Sequence, residues 1–287
     1  MQTADFSLDT LFMHGVSAID RGDLNALQDL LIKHPDLAVE RLRNPGAWLR
    51  DQIEGPLNSF FHDPYLLWFV AEDPVRNDTL PSNIAEIATT IIGAAERQSP
   101  GSLNHQITYA LRLVAWSSVA RRCMVQIPLI DVFVNAGAPT DGVSNDALVN
   151  GNIEAAEHLI KRGAKLTLPT AVCLGYMDEA ARLVTAATLD EKQFSLVLSA
   201  LNGKENGVAA MLRNGADINK SSANLFAHAT PLHHAVFSGS LKSVQLLVEA
   251  GANLHVRDTI YNGTPLGWAE YGRHEAIAEF LKEKGAK

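Results

Sequence analysis

The chain has 287 residues, 47% of them hydrophobic, which is enough to bury an extensive core as one domain, two, or an array of small units. A formal net charge of −8 without a dense Lys/Arg run argues against a nucleic-acid partner or an anionic membrane surface. The opening MQTADFSLDT lacks a basic segment leading into an apolar one, and YLLWFVA and ALRLVAW are far too short to span a bilayer, so a soluble, cytoplasmic protein is expected.

Along the chain, the first ordered pattern is Gly22, Leu24, Leu27, Leu30 and Leu31, ending at His34-Pro35. Its apolar residues fall on one face of a helix. Between residues 37 and 135 only helical pairs can be argued. RNPGAWLRDQIEGPLNSFFH and EDPVRNDTLPSN, rich in turn residues, read as lengthened loops, while Asp63-Pro64 reads as the start of a helix through DPYLLWFVA. The ruler returns as Gly151, Ile153, Ala156, Leu159, Ile160 and Gly163, and again as Gly175, Met177, Ala180, Leu183, Val184 and Ala187. Gly203, Val208, Met211, Leu212 and Gly215 follow it with Glu205 as a misfit, and Gly239, Leu241, Val244, Leu247, Val248 and Gly251 follow it fully. Such self-similarity marks an array.

Each unit needs a first helix ahead of its internal glycine. Thr230-Pro231 and Thr264-Pro265 supply a capping hydroxyl and a proline at the first helical position, where the missing N–H would have no intrahelical partner. Gly137, Gly163, Gly215, Gly251 and Gly285 suit left-handed helix stops. The repeating unit is therefore helix, tight turn, helix, glycine stop.

Thr230-Pro231-Leu232-His233-His234-Ala235, followed by GSLKSVQLLVEAGANL, resembles the ankyrin repeat family. A second copy, Thr264-Pro265-Leu266-Gly267-Trp268-Ala269, has Gly267 where that family has histidine and looks like a terminal cap. The resemblance implies an all-α, ankyrin-type helical-repeat solenoid of about seven to eight helix pairs in a single array over 1–287. Within it, 1–135 are divergent helical pairs with long loops, 136–194 short repeats, and 195–287 clear repeats with the cap. AKLTL before Pro169 leaves no room for the family's β-hairpin finger, so the middle units should lack one, whereas DINKSSANLFAHA and NLHVRDTIYNG can each form one.

Reactive chemistry finds little support in the pattern. No HExxH, paired cysteines, phosphate-cradling glycine loop or GxSxG elbow is present, so no catalytic residue, metal site or cofactor is assigned. Cys123 and Cys173 read as buried thiols. His233 occupies the family's structural histidine and is expected to tie neighbouring loops together, while His234 faces another way because adjacent helical residues do not share a face. The resemblance points to a binding scaffold for another protein, touching it through the concave face and the C-terminal fingers: Asn224, Phe226, His228, His234, Phe237, Ser238, Asp258, Tyr261, Trp268 and Tyr271. The alternative is a small-molecule or enzymatic pocket between the divergent half and the repeats, built from His62, Asp63, Tyr65, Trp68, Glu72 and Asp73.

Overall fold

The structure is a computed structural model, and it describes residues 7–98, 100–223 and 225–287. Among these residues every regular element is a helix and no strand forms; the only bridges are Arg41 with Tyr65 and Ser222 with Leu225. The chain divides into two compact units, Met1–Ala164 and Lys165–Lys287. No helix of the described residues is long and apolar enough to cross a membrane.

The second unit is a stack of helix pairs. Helices α10 (Leu168–Leu174) and α11 (Met177–Leu183), α12 (Leu189–Leu201) and α13 (Glu205–Arg213), α14 (Pro231–Phe237) and α15 (Leu241–Glu249), and α16 (Pro265–Tyr271) and α17 (Glu275–Glu283) follow one another. First helices pack on first helices along the series α10, α12, α14, α16, and second helices on second ones along α13, α15, α17. Small residues permit this close approach: Ala171, Ala200, Ala235 and Ala269 are fully buried, with Leu196, Leu232, Val244 and Leu247 filling the space between layers. The stops are glycines because the chain turns there at positive φ, 87° at Gly215 and 95° at Gly251, where a Cβ would be strained.

Helix starts follow the expected chemistry. Thr264 Oγ1 accepts from the Gly267 amide at 3.2 Å. At Thr230 the imidazole of His233 takes part: its Nδ1 accepts from the Thr230 amide at 3.3 Å and lies 2.8 Å from Thr230 Oγ1. That leaves His233 Nε2 to donate to the Gly263 carbonyl at 3.1 Å, joining the start of α14 to the finger that precedes α16. The fingers are turns rather than paired strands. In the second, the Asp258 amide donates to the Gly263 carbonyl at 2.9 Å and the Thr259 amide to the His228 carbonyl of the first finger at 3.0 Å.

The first unit opens with α1 (Leu8–Arg21) and α2 (Leu24–Lys33) and continues with a 3-10 turn, Pro35–Ala38. Two expectations need correction here. The segment expected to be a loop contains α3 (Ala47–Leu57), which buries Leu49, Ile53 and Leu57. Their spacing of four is that of a helix, although the backbone kinks at Ile53 (φ −136°, ψ 40°), and Asp9 secures the entry by accepting from the Gly46 amide at 2.7 Å and Trp48 Nε1 at 2.8 Å. Asp63 is not a helix cap either. It sits at φ 47°, and the element that follows is a 3-10 helix, Leu66–Ala71, with all six side chains buried. Around that apolar plug pack α4 (Ile84–Gln98) and α5 (Pro100–Trp116), with α6 (Ser118–Arg122), α7 (Gln126–Asn135), α8 (Val143–Val149) and α9 (Ile153–Lys161) completing the unit.

Candidate functional site

In the first unit the expected pocket residues do not converge. Tyr65 and Trp68 are buried and stacked edge to face at 5.3 Å, with the Arg41 guanidinium over both rings at 5.3 and 5.9 Å. Arg41 also donates to the carbonyls of Asp63 at 2.7 Å and His62 at 3.0 Å. These aromatics are structural supports for the loop. His62 is exposed, pairs with Asp63 at 3.4 Å, and edges a shallow polar cleft of about 510 Å³ shared with Arg43, Arg50 and Glu54. Glu72 is sealed away: its carboxylate accepts from Arg76 Nη2 at 2.8 Å and from the amides of Arg76, Asn77 and Asp78.

Asp73 behaves differently. Burial, reinforced by the neighbouring Glu72 charge, pushes its carboxyl from the ordinary 3.8 up to about 6. Because the folded value lies above the unfolded one, the native state is penalised as pH rises from about 4 through 6. Asp73→Asn is therefore expected to stabilise the protein by about 2 kcal/mol at pH 7 and by nothing at pH 3.5, the shift being discounted for partial exposure. Urea titrations at both pH values check this, and an equal effect at both would refute it.

In the second unit the expected contact residues gather around α14, α16 and the two fingers. Phe237, Tyr261 and Tyr271 stand out, with 65%, 74% and 94% of their surface exposed. Phe226 is also exposed, His228 and Trp268 are half-buried, and Ser238 is half-buried with its hydroxyl donating to the Ala235 carbonyl. Asn224 lies outside the described residues. Two members of the set lie inside the protein. His234 is buried at 2% exposure, and burial followed by the neighbouring His228 and His233 pushes it down to about 4. Asp258 is buried as a turn anchor, accepting from the Ile260, Tyr261 and Gly263 amides and from Trp268 Nε1 at 2.9, 2.6, 2.9 and 3.0 Å.

The rings form one connected group. Phe226, His228 and His234 lie with centroids 5.9 to 6.5 Å apart, and Trp268 stands 6.1 Å from His228 and 6.3 Å from His234. Phe237 meets Trp268 at 6.3 Å and Tyr261 meets His228 at 6.1 Å. Ile260, exposed beside Tyr261, went unnoticed in the sequence, where only its place at a finger tip could have marked it. Among the described residues no three His, Cys, Asp or Glu side chains are placed to hold a metal. Cys173 is buried, and burial pushes its thiol up to about 12. Cys123 is half-buried, its sulfur accepting from the Leu80 amide.

In the unit Lys165–Lys287, stacked helix pairs, glycine stops at Gly215 and Gly251, and His233 tying the start of α14 to the next finger make an arrangement like that of ankyrin repeats. The comparison with known families agrees: residues 196–287 match ankyrin repeats, three copies. Over 91 residues the chain is 30% identical to a curated Borreliella burgdorferi protein named for ankyrin repeats, a match covering 31% of this chain and 38% of that relative. The segment 196–287 consists of ankyrin repeats, which generally serve as modules for protein–protein interaction.

Proposed function

We propose that this protein is a binding scaffold that holds a protein partner on its C-terminal repeats, through the concave face and the fingers. The observation that carries the reading is the exposure of Phe237, Tyr261 and Tyr271 within the last two repeats. Large aromatic side chains left in water on a rigid frame are the usual anchors of an interface, since they bring much apolar area at little cost in side-chain entropy. The helix pairs beneath them supply the rigidity, because each repeat is held by its neighbours.

Affinity capture from a cell extract, with the partner identified by mass spectrometry, tests this. The double variant Phe237→Ala, Tyr271→Ala is expected to lose a protein that the unaltered chain retains, while its unfolding free energy changes by no more than about 0.5 kcal/mol, as for other exposed substitutions. An identical set of retained proteins overturns the assignment of the surface.

A further inference from the structure

The finger fastened by Asp258 ends in a reactive pair that the scaffold does not use, Asn262-Gly263. An asparagine before a glycine is prone to cyclise, because no Cβ hinders the following amide as it approaches the asparagine side chain. The chain has five such pairs, at Asn150, Asn202, Asn206, Asn214 and Asn262. Helices restrain the first four. Asn150, Asn202 and Asn214 each close a helix and donate Nδ2 to the carbonyls of Trp116, Leu198 and Ala210 at 2.9, 2.9 and 2.8 Å. The glycine amide after each of them donates in turn to Leu148, Ala200 and Leu212. Asn206 lies in the first turn of α13, with Gly207 buried. Asn262 is exposed and outside any helix, and only its backbone carbonyl is engaged, accepting from Arg257 Nη1 at 2.7 Å. The packing keeps the pair as it is. Asn262 sits at φ 55°, a region that suits few residues but asparagine and glycine, and a Cβ at Gly263 would stand 2.9 Å from Trp268 Cδ1.

One contact holds the reaction back. The Gly263 N–H donates to Asp258 Oδ2 at 2.9 Å, and its nitrogen attacks only after giving up that proton, which a carboxylate beside it opposes. We propose that Asn262 is a site of spontaneous backbone modification, latched by Asp258 and released when the finger opens. The Gly263 nitrogen bonds to Asn262 Cγ, the Cγ–Nδ2 bond breaks, and Nδ2 leaves as ammonia with the amide proton, giving a cyclic imide. Water then adds to one imide carbonyl and opens the ring. Breaking the new N–Cγ bond gives aspartate; breaking the original peptide bond gives isoaspartate, in which the chain runs through Cγ. The second product puts one more atom into the backbone next to Gly263, whose carbonyl accepts from the Asp258 amide and from His233 Nε2. A turn so lengthened cannot remake both bonds, so the last finger comes away from the start of α14 and the change is one-way. Phe237 and Tyr271 lie on helices, and the scaffold reading stands or falls without this site.

The test ages the full chain at mildly alkaline pH, where amide nitrogen loses its proton more readily. Peptide mass spectrometry reads each Asn-Gly pair through the mass gained when NH2 is exchanged for OH, and an isoaspartyl methyltransferase reports the isoaspartate. Asn262 is expected to convert about tenfold faster than any of the other four, since it waits on the opening of one turn rather than of a helix or its end. Asp258→Ala should raise that ratio by about another tenfold and Asp258→Asn by less, because the first removes the latch and the second only its charge. Asn262→Gly, which the positive φ accommodates, should remove the signal and keep the aged finger closed: its Tyr261 amide stays protected from hydrogen exchange while that of the aged, unaltered protein does not. Conversion at Asn262 no faster than at the other pairs of the unaltered protein overturns the proposal, and needs no variant to fold. A ratio unmoved in both Asp258 variants, or equal exchange in the aged protein and aged Asn262→Gly, overturns it as well.

Discussion

Replacing Arg76 with methionine is expected to destabilise the protein by about 3–5 kcal/mol, the loss typical of stripping one partner from a buried ion pair. The Arg76 side chain is 3% exposed and that of Glu72 fully enclosed. The guanidinium donates to Glu72 Oε2 at 2.8 Å and, through two nitrogens, to Asp20 at 3.0 and 2.8 Å, while lying 5.1 Å over the Phe69 ring. Methionine can replace the contact with Phe69 but leaves the Glu72 carboxylate inside the protein with only backbone donors. Asp20→Asn should cost much less, since Asp20 is partly exposed and water can take over. The diagnostic is the double variant Glu72→Met, Arg76→Met: it should be more stable than Arg76→Met alone, because removing both charges removes the uncompensated one. Urea titrations of the three variants decide the matter, and a double variant less stable than Arg76→Met would refute the account.

That network also shows where sequence reasoning stops. Glycine stops and threonine caps could be read directly, because each depends on the residue's own backbone preference or on a partner three positions away. Arg76 and Asp20 are 56 residues apart, and no local pattern links them. The 3-10 helix Leu66–Ala71 was hidden for a related reason: with every side chain buried it has no polar face, hence no period to distinguish helix from turn. In α3 the period was present at Leu49, Ile53 and Leu57, but Pro45-Gly46 ahead of it and Gly55-Pro56 inside its last turn outweighed it as loop signals. The candidate contact surface divides the same way. Exposure of Phe237 and Tyr271 follows from their position at the end of a first helix in each repeat. Burial of His234 depends on the finger folded across it, and that of Asp258 on four donors drawn from its own turn and from Trp268.

Asp258→Ala should accordingly unfasten the last finger, at about 3 kcal/mol, since several charge-assisted hydrogen bonds vanish together and their donors cannot all find water. The residue closes a small circuit. Its carboxylate gathers the amides of Ile260, Tyr261 and Gly263 and the Trp268 indole, and the Gly263 carbonyl in turn accepts from His233 Nε2. Burial alone would push this carboxyl up, but the hydrogen bonds from Tyr261, Trp268, Gly263 and Ile260 outweigh it and hold the group near 2 against an ordinary 3.8. The folded value is the lower one, so the stabilisation is complete above pH 4 and is lost as pH falls through 3.8 toward 2. Asp258→Asn keeps the shape and one acceptor; it should be intermediate at pH 7 and should lose this acid-dependent step. Hydrogen exchange at the Tyr261 and Gly263 amides localises the effect: both should lose protection in Asp258→Ala while the α10 and α12 amides keep theirs. Unchanged exchange at Tyr261 and Gly263 would mean that the turn is held by something other than this carboxylate, and the Trp268 ring would then need another reason for standing where it does.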